Sequence, residues 1–472
     1  MQRIWKTAFL LFTICFLLLI FVFALAIIKH DYEEERYYRR HSNRAILRRY
    51  HKRCTSTCTS SSTSSSTSSD TSTATSASAG ALSIPRAVST TKDRYILSLV
   101  DVSDRNKISS TISHTDALSH FDQLGQEHQF SVLDHFLHTK ACVVELHPTQ
   151  FQQLKTRNLP HLHVEPDLRV YATPISFKSV KAQSQTIPWG ISRIGCCLNP
   201  KNGCDGKTNA TYILHLIDTG AKLTHPDLNI NVQKSRSFHP TETTPDDLNG
   251  HGTHVSGIAA ARNNSAGVVG AGPGGEIWIK KVLGADGSGN ISSIVAAINA
   301  AISDRIQYPN LPMVINMSLG AYVGTTSYNA MDRAAVAAWQ NRIFVAVAAG
   351  NSSADAALFS PAHTLEIVTV GSIDQNNQFS SFSNSGRDVD CLAPGRDILS
   401  TTKDGGTGYM SGTSMACPHV AGTAGLYLSN HPTATADQTW AVLKAQMTNS
   451  NNPASTSVPS LTTNRSIYAA SV

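Results

Sequence analysis

Three short phrases hold the residue types that together can break an acyl bond. Ser414 lies in Ser411-Gly412-Thr413-Ser414-Met415-Ala416, a small-residue turn that opens an apolar, helix-forming stretch. His251 lies in Asn249-Gly250-His251-Gly252-Thr253-His254, and Asp218 closes the apolar run Leu216-Ile217-Asp218-Thr219-Gly220. A serine hydroxyl is a weak nucleophile at neutral pH and needs an adjacent base. Imidazole suits that task because its pKa lies near neutrality. A buried carboxylate then fixes the imidazole tautomer and stabilises the imidazolium formed during attack. Taken singly, each residue also has a purely structural reading: a strand-end turn, a satisfied polar side chain, a helix N-cap. It is the three phrases together, in this order, that point to nucleophilic catalysis.

These phrases resemble the catalytic motifs of the subtilisin-like serine proteases (subtilases), with features between the bacterial subtilisins and proteinase K. The resemblance implies a serine endopeptidase that hydrolyses peptide bonds through an acyl-enzyme, with Ser414 as nucleophile, His251 as base and Asp218 as its partner. The chain order Asp, His, Ser is also that of the subtilisins and differs from the orders of chymotrypsin and the α/β-hydrolases. Val347-Ala348-Ala349-Gly350-Asn351 matches the family's oxyanion phrase, which assigns the Asn351 amide, with the Ser414 backbone N–H, to the developing oxyanion. Ser318, Leu319 and Gly320 on one side, and Gly287 and Gly289 on the other, match the two edges between which an extended substrate adds as a strand. No acidic cluster in the sequence demands dibasic substrates, so broad specificity with an apolar first pocket is expected.

Calcium is the cofactor the resemblance implies, in a structural role. Gln185, Asp227 and the loop Arg262-Asn263-Asn264-Ser265-Ala266-Gly267-Val268 match the high-affinity subtilisin site. There Asp227 and Gln185 would give side-chain oxygens, Asn264 its amide oxygen, and Arg262, Ala266 and Val268 their carbonyls, the hard donors that calcium takes. Arg262 replaces a usually apolar residue, but its carbonyl still serves. A second candidate site, in the manner of proteinase K, joins Asp390 to the carbonyls of Leu365 and Ile367.

Elements able to position these groups are legible around them. Short apolar strands at 212–217, 313–317, 343–348 and 367–370 alternate with helical stretches at 292–304 and 328–341. Such alternation predicts a parallel sheet covered by helices on both faces. The expected fold class is α/β, a subtilisin-like parallel sheet preceded by a small ferredoxin-like α+β propeptide. Ile187-Pro188-Trp189-Gly190-Ile191 resembles the family's mature N-terminus, which sets a catalytic domain over 184–448. Residues 93–183 alternate as strands near 95–100 and 141–146 with a helix between them and another near 148–154. They run on to Val164-Glu165-Pro166-Asp167, a phrase that resembles the subtilase inhibitory propeptide. The chain is therefore expected to be a zymogen whose own propeptide is its intramolecular inhibitor. Lys178 and Lys181 form no paired basic processing site.

The remaining segments bear on location. Residues 8–28 are an unbroken apolar run within a 1–35 leader, long enough to span a bilayer, since about 20 residues suffice. A single-pass signal-anchor is expected, with the catalytic domain lumenal or extracellular, or secretion if the run is cleaved. Arg36, Arg39, Arg40 and Arg44 follow it and by the positive-inside rule argue the opposite orientation. The calcium sites that the resemblance implies favour export, because such sites fill readily outside the cell and poorly in resting cytosol. Residues 36–92 combine that basic segment with a Ser/Thr-rich stalk that cannot bury enough apolar area to order itself, and the polar tail 449–472 is expected to fray. A net charge of +6 over 472 residues gives no argument for nucleic acid as a partner. With nine cysteines there is no disulfide framework, although Cys196 or Cys197 could close a small loop with Cys204. Cys417 reads as a buried small residue. Eight histidines (114, 120, 128, 135, 138, 147, 161 and 163) crowd the propeptide region, which suggests release that depends on pH. A specific processing or shedding protease at a membrane, and a non-catalytic receptor on the same scaffold, remain open on sequence alone.

Overall fold

The computed structural model describes residues 92–157, 159–172, 176–180, 184–198, 209–449, 459, 462–463 and 465–467. The leader, the stalk and most of the C-terminal tail lie outside the described residues.

The N-terminal part is a small α+β layer. β1 (Asp93–Leu99), α1 (His114–His128), β2 (Ser131–Phe136), β3 (Ala141–Leu146), α2 (Pro148–Thr156) and β4 (Leu162–Pro166) give the order β-α-β-β-α-β. The four strands pair antiparallel in the order β2-β3-β1-β4, the ferredoxin-like arrangement. Apolar side chains of one sheet face meet those of both helices in a separate small core, with Leu97, Phe121, Val144 and Leu154 buried.

Two strands, β5 (Arg169–Ala172) and β6 (Ser176–Val180), then carry the chain onto the larger part. That part comprises α3 (Trp189–Arg193), β7 (Ile213–Asp218), β8 (Arg236–Ser237), α4 (His251–Ala260), β9 (Glu276–Lys281), β10 (Ser288–Asn290), α5 (Ile291–Gln307), β11 (Met313–Met317) and β12 (Leu319–Tyr322). It continues with α6 (Ala330–Gln340), β13 (Phe344–Ala348), β14 (Phe359–Ser360), β15 (Val368–Ile373), β16 (Cys391–Pro394), β17 (Ile398–Thr401), β18 (Thr407–Ser411), α7 (Thr413–Asn430) and α8 (Ala436–Asn449). Seven strands form one sheet in the order β16-β15-β13-β11-β7-β9-β8, every pair parallel. β7, β11, β13 and β15 are buried along their whole length, which is why they read as continuous apolar runs.

The tail departs from expectation. Ser466 bridges Leu392 of the edge strand β16, the Ile467 N–H donates to the Leu392 carbonyl at 3.0 Å, and the Ile467 side chain is fully buried. One apolar residue in a polar stretch thus ties part of the tail to the sheet edge.

Candidate active site

The carboxyl ends of parallel strands gather the chemistry. β7 ends on Asp218, and its carboxylate accepts a hydrogen bond from the Thr219 N–H at 2.7 Å. Next to it α4 begins at His251, directly after Gly250, whose φ of +113° is a conformation a side chain would strain. Gly252 lets the helix approach this loop: a Cβ there would lie 2.0 Å from the Gly220 carbonyl oxygen. The result is a fully buried pair in which His251 Nδ1 donates to Asp218 Oδ1 at 2.7 Å. His251 Nε2 is buried without a hydrogen-bond partner.

Ser414 sits in the first turn of α7, which follows β18. Its hydroxyl donates to the Ser318 carbonyl at 3.1 Å, and the Ser318 hydroxyl donates to the Ser414 carbonyl at 2.8 Å. The nucleophile is therefore turned toward the substrate edge, and transfer of its proton to His251 requires Oγ to swing toward Nε2. Asn351 follows β13, and its Oδ1 accepts from the Thr413 N–H and hydroxyl, both at 2.8 Å. That anchoring fixes the plane of the amide beside the first turn of α7. N–H groups in such a turn have no intrahelical partner.

Sequence reasoning missed two supports of this arrangement. Asp247, four residues before His251, accepts from the N–H groups of Asn249, Gly250 and Thr253 and from the hydroxyls of Thr219 and Thr253. It locks the start of α4 to the turn after Asp218, and an acidic residue just ahead of a helix was the available signal. Thr413 lies inside the quoted serine motif, but its contact with Asn351 spans 62 residues and leaves no local pattern.

Other buried groups near the serine are inert. Burial pushes His254 down to about 3 and His419 down to about 4, so both stay neutral at working pH. Burial also holds the Cys417 thiol far above its ordinary range, which suits a packing residue. Cys197 is disulfide-bonded, while the Cys196 thiol points to the Ala271 carbonyl at 2.9 Å.

The five expected substrate-binding residues meet around β5. This strand lies antiparallel between β10 and β12, with Val170 opposite Gly289, Tyr171 opposite Gly320 and Ala172 opposite Leu319. The Ala172 N–H donates to the Gly287 carbonyl at 2.9 Å. Val170 is fully buried and Tyr171 is 49% exposed, as alternate residues of a strand laid in a groove must be. Ser318, next along from Leu319, is the residue that touches Ser414.

Just before β5, two carboxylates cap the helices beside the groove. Glu165 Oε1 accepts from the Ala330 N–H at 2.6 Å and pairs with Arg333 at 3.3 Å, at the start of α6. Asp167 accepts from the Ser292 N–H at 2.8 Å and its hydroxyl at 2.6 Å, at the start of α5. Negative charge is favourable at both helix N-termini.

Of the expected calcium ligands, Asp227 is buried and its carboxyl is pushed up to about 6 by desolvation, partly offset by the Val268 N–H and the Asn264 amide. Gly267, at φ +59°, wraps the carboxylate so closely that a Cβ would lie 2.4 Å from Asp227 Oδ2. The loop satisfies itself here: Asn264 Oδ1 accepts from the Ala266 N–H, and Gln185 Oε1 accepts from the Ser265 N–H. Arg262 stays nearby through its N–H to the Asp227 carbonyl. Around the second candidate site, burial pushes Asp390 up to about 7, Ile367 is buried and Leu365 is exposed. Among the described residues, no cluster of three His, Cys, Asp or Glu side chains could hold a metal ion.

Comparison with known proteins places these features in context. The profile of the Subtilase family matches residues 210–464. Subtilisin E of Bacillus subtilis (strain 168) is 42% identical over 254 residues, which are 53% of this chain and 63% of that protein. The chain thus spans just under two thirds of that relative's length. Subtilisin of Bacillus pumilus is also 42% identical, over 53% of this chain and 87% of its own. Alkaline protease of Shouchella clausii is 34% identical over 350 residues, 74% of this chain and 85% of that one, an alignment too long to be confined to 210–464. A solved structure described as a cold adapted subtilisin-like serine proteinase is 34% identical, covers 60% of this chain and 97% of its own, and superposes with a TM-score of 0.48.

Proposed function

Because this chain belongs to the subtilase family, we propose that it is a serine endopeptidase of broad specificity, made as a zymogen inhibited by its own residues 93–183. The observation that carries this reading is β5: a segment of the chain itself lies as a strand between β10 and β12 and ends beside Ser414, with the His251–Asp218 pair behind. That is the pose of a peptide substrate.

The chemistry follows from the groups in place. Ser414 Oγ attacks the substrate carbonyl carbon while its proton passes to His251 Nε2. Nδ1–H, held on Asp218, keeps Nε2 the accepting nitrogen. The carbonyl oxygen, now negative, takes hydrogen bonds from the Asn351 amide and the Ser414 N–H. Collapse expels the leaving amine, which receives the proton from Nε2. Water then repeats the sequence on the acyl-enzyme and restores Ser414. Asn351→Ala is expected to lower kcat about 100–1,000-fold with KM little changed, the magnitude known for removing such a donor from a subtilisin. Steady-state kinetics on a peptide substrate test this, and an unchanged kcat would remove Asn351 from the mechanism.

Residues 93–167 hold the inhibitory strand in place through Glu165 and Asp167, which are seated on the starts of α6 and α5. The pH-dependent release suggested by the eight histidines narrows to His138, whose Nε2 lies 2.9 Å from Ser303 Oγ of α5. Burial, and then the neighbouring His114, lower its pKa. His114 is itself lowered by burial and by Lys140. Because the burial of His138 against Ser303 of α5 ends on release, His138 ionises less readily when seated, and stability of the seated form is lost as pH falls through about 6.5. Dissociation of the cleaved inhibitor is expected to be faster at pH 5.5 than at 7.5, and to lose that difference in His138→Gln. Equal rates at both pH values would overturn this.

The Asp227 loop fits calcium by its buried carboxylate and its ring of oxygen donors. Asp227, Gln185, Asn264 and the carbonyls of Arg262, Ala266 and Val268 would hold it, and Asp390 with Leu365 and Ile367 a second ion. Bound calcium would neutralise the buried carboxylate and stiffen the loop. Chelation should lower Tm by several degrees, since saturating a site at 100 times its Kd adds about 2.7 kcal/mol. Asp227→Asn should abolish most of that response. A Tm indifferent to chelator would remove calcium from the account.

The apolar run at 8–28 supports export, with membrane anchoring if it is retained. It lies outside the described residues, and among those described no helix is long and apolar enough to cross a membrane.

A further inference from the structure

We propose that Asn316 is a positioning residue for the nucleophile, holding the first turn of α7 in place through the Ser318 side chain. This role adds to the endopeptidase reading and rests on it.

A proline creates the need for such a device. α7 runs from Thr413 to Asn430 with Pro418 inside it. In an α-helix the Ser414 carbonyl would accept from the backbone N–H four residues further on. At that position proline has no N–H to give. The residue that carries the nucleophile therefore lacks the bond that would fix its own peptide group within the helix. Ser318 supplies one from outside, since its hydroxyl donates to the Ser414 carbonyl at 2.8 Å. Both serines are fully buried, so no water stands in for that donor without cost.

A serine hydroxyl can rotate, and it holds a single hydrogen. With that hydrogen on the Ser414 carbonyl, the 3.0 Å contact between Asn316 Nδ2 and Ser318 Oγ is a donation from the amide. Asn316 thereby fills a lone pair of Oγ and turns the hydroxyl hydrogen toward Ser414. Asn316 and Ser318 stand two residues apart in extended chain, which places them on one face. Asn316 is the one polar residue of β11, and it is fully buried. Its Oδ1 has no hydrogen-bond partner among the described residues. A half-satisfied amide inside a sheet destabilises the fold relative to an apolar side chain. What the amide contributes here is the orientation of Ser318.

The consequence lies in the reaction. At rest the two serines are joined twice, because the Ser414 hydroxyl also donates to the Ser318 carbonyl at 3.1 Å. That second bond breaks when Oγ swings toward His251 Nε2. The bond from the Ser318 hydroxyl to the Ser414 carbonyl is the one that stays. It holds the nucleophile's backbone, and the neighbouring N–H that faces the oxyanion, while Oγ moves.

The test is a double-substitution cycle on the full-length chain after it has processed itself, with active sites counted by fluorophosphonate labelling. Asn316→Leu keeps the branched shape and removes the donor. It is expected to lower kcat about tenfold, the scale of one hydrogen bond, with KM changed less than about twofold. Pro418→Ala returns a backbone N–H to the Ser414 carbonyl. In that background Asn316→Leu is expected to lower kcat less than about threefold. Ser318→Ala removes the same link one atom further along and keeps the Ser318 carbonyl, so it should follow the same pattern; it replaces Asn316→Leu if that variant does not fold. An equal loss of kcat in both backgrounds, a loss confined to KM, or no loss makes Asn316 a packing residue and overturns the positioning role. A wild-type chain that cleaves no peptide overturns the endopeptidase reading, and this role with it.

Discussion

Ser414→Ala should fold and keep β5 in the groove, yet remain uncut, while the wild-type chain releases its N-terminal part. With the hydroxyl gone, residual turnover should fall by about 10⁶-fold, the scale seen when a subtilisin loses its nucleophile. Intact-mass analysis of both proteins, exported in calcium, reads the outcome directly. The position of the wild-type cut is informative too. β5 ends at Ala172 opposite Leu319, and the next bond but one along the sequence, Thr173–Pro174, has proline on its leaving side. Proline's ring and missing N–H make it a poor leaving group in this geometry. The mature chain should therefore begin downstream of Pro174, near Ser184. A wild-type product beginning at Pro174 would refute that placement. Identical processing of Ser414→Ala and wild type would show that another protease does the cutting.

Asp218→Asn should lower kcat about 10⁴-fold at neutral pH while leaving the fold and the seated β5 strand intact. The carboxylate now accepts from His251 Nδ1 at 2.7 Å and from the Thr219 N–H on the same oxygen. An amide there can present N–H to Nδ1, which moves the imidazole proton to Nε2. The nitrogen that must take the proton from Ser414 is then already occupied. Substrate binding uses β10 and β12 and does not touch Asp218, so KM should change far less than kcat. A loss confined to KM, or no loss at all, would mean that His251 does not act as the base.

Much of this site was legible because the family's chemistry sits in contiguous phrases. Asp218, His251, Ser414 and Asn351 each occupy a strand end or a helix start, where the motif and its backbone geometry are one local unit. The buried parallel strands were equally readable, since burial on both faces forces unbroken apolar runs. Contacts that join distant segments were not readable. Asp247 caps the start of α4 locally, but its tie to the β7 turn is a single hydrogen bond from Thr219, 28 residues earlier, and that leaves no local pattern. β6 carries no strand pattern of its own and is ordered by β18, more than 200 positions away. Ile467 looks like a stray apolar residue until β16 offers it an edge. The calcium loop falls between: its oxygen-rich composition could be read, whereas the hydrogen bonds with which it satisfies itself could not.

The most direct test of the account is labelling with a serine-directed fluorophosphonate, followed by peptide mass mapping of the self-processed chain. The account predicts one adduct per chain, on Ser414, in wild type and none in Ser414→Ala. Labelling in Asp218→Asn should be slowed by orders of magnitude. A folded chain from which residues 93–183 have dissociated, and which still takes up no label, would contradict it.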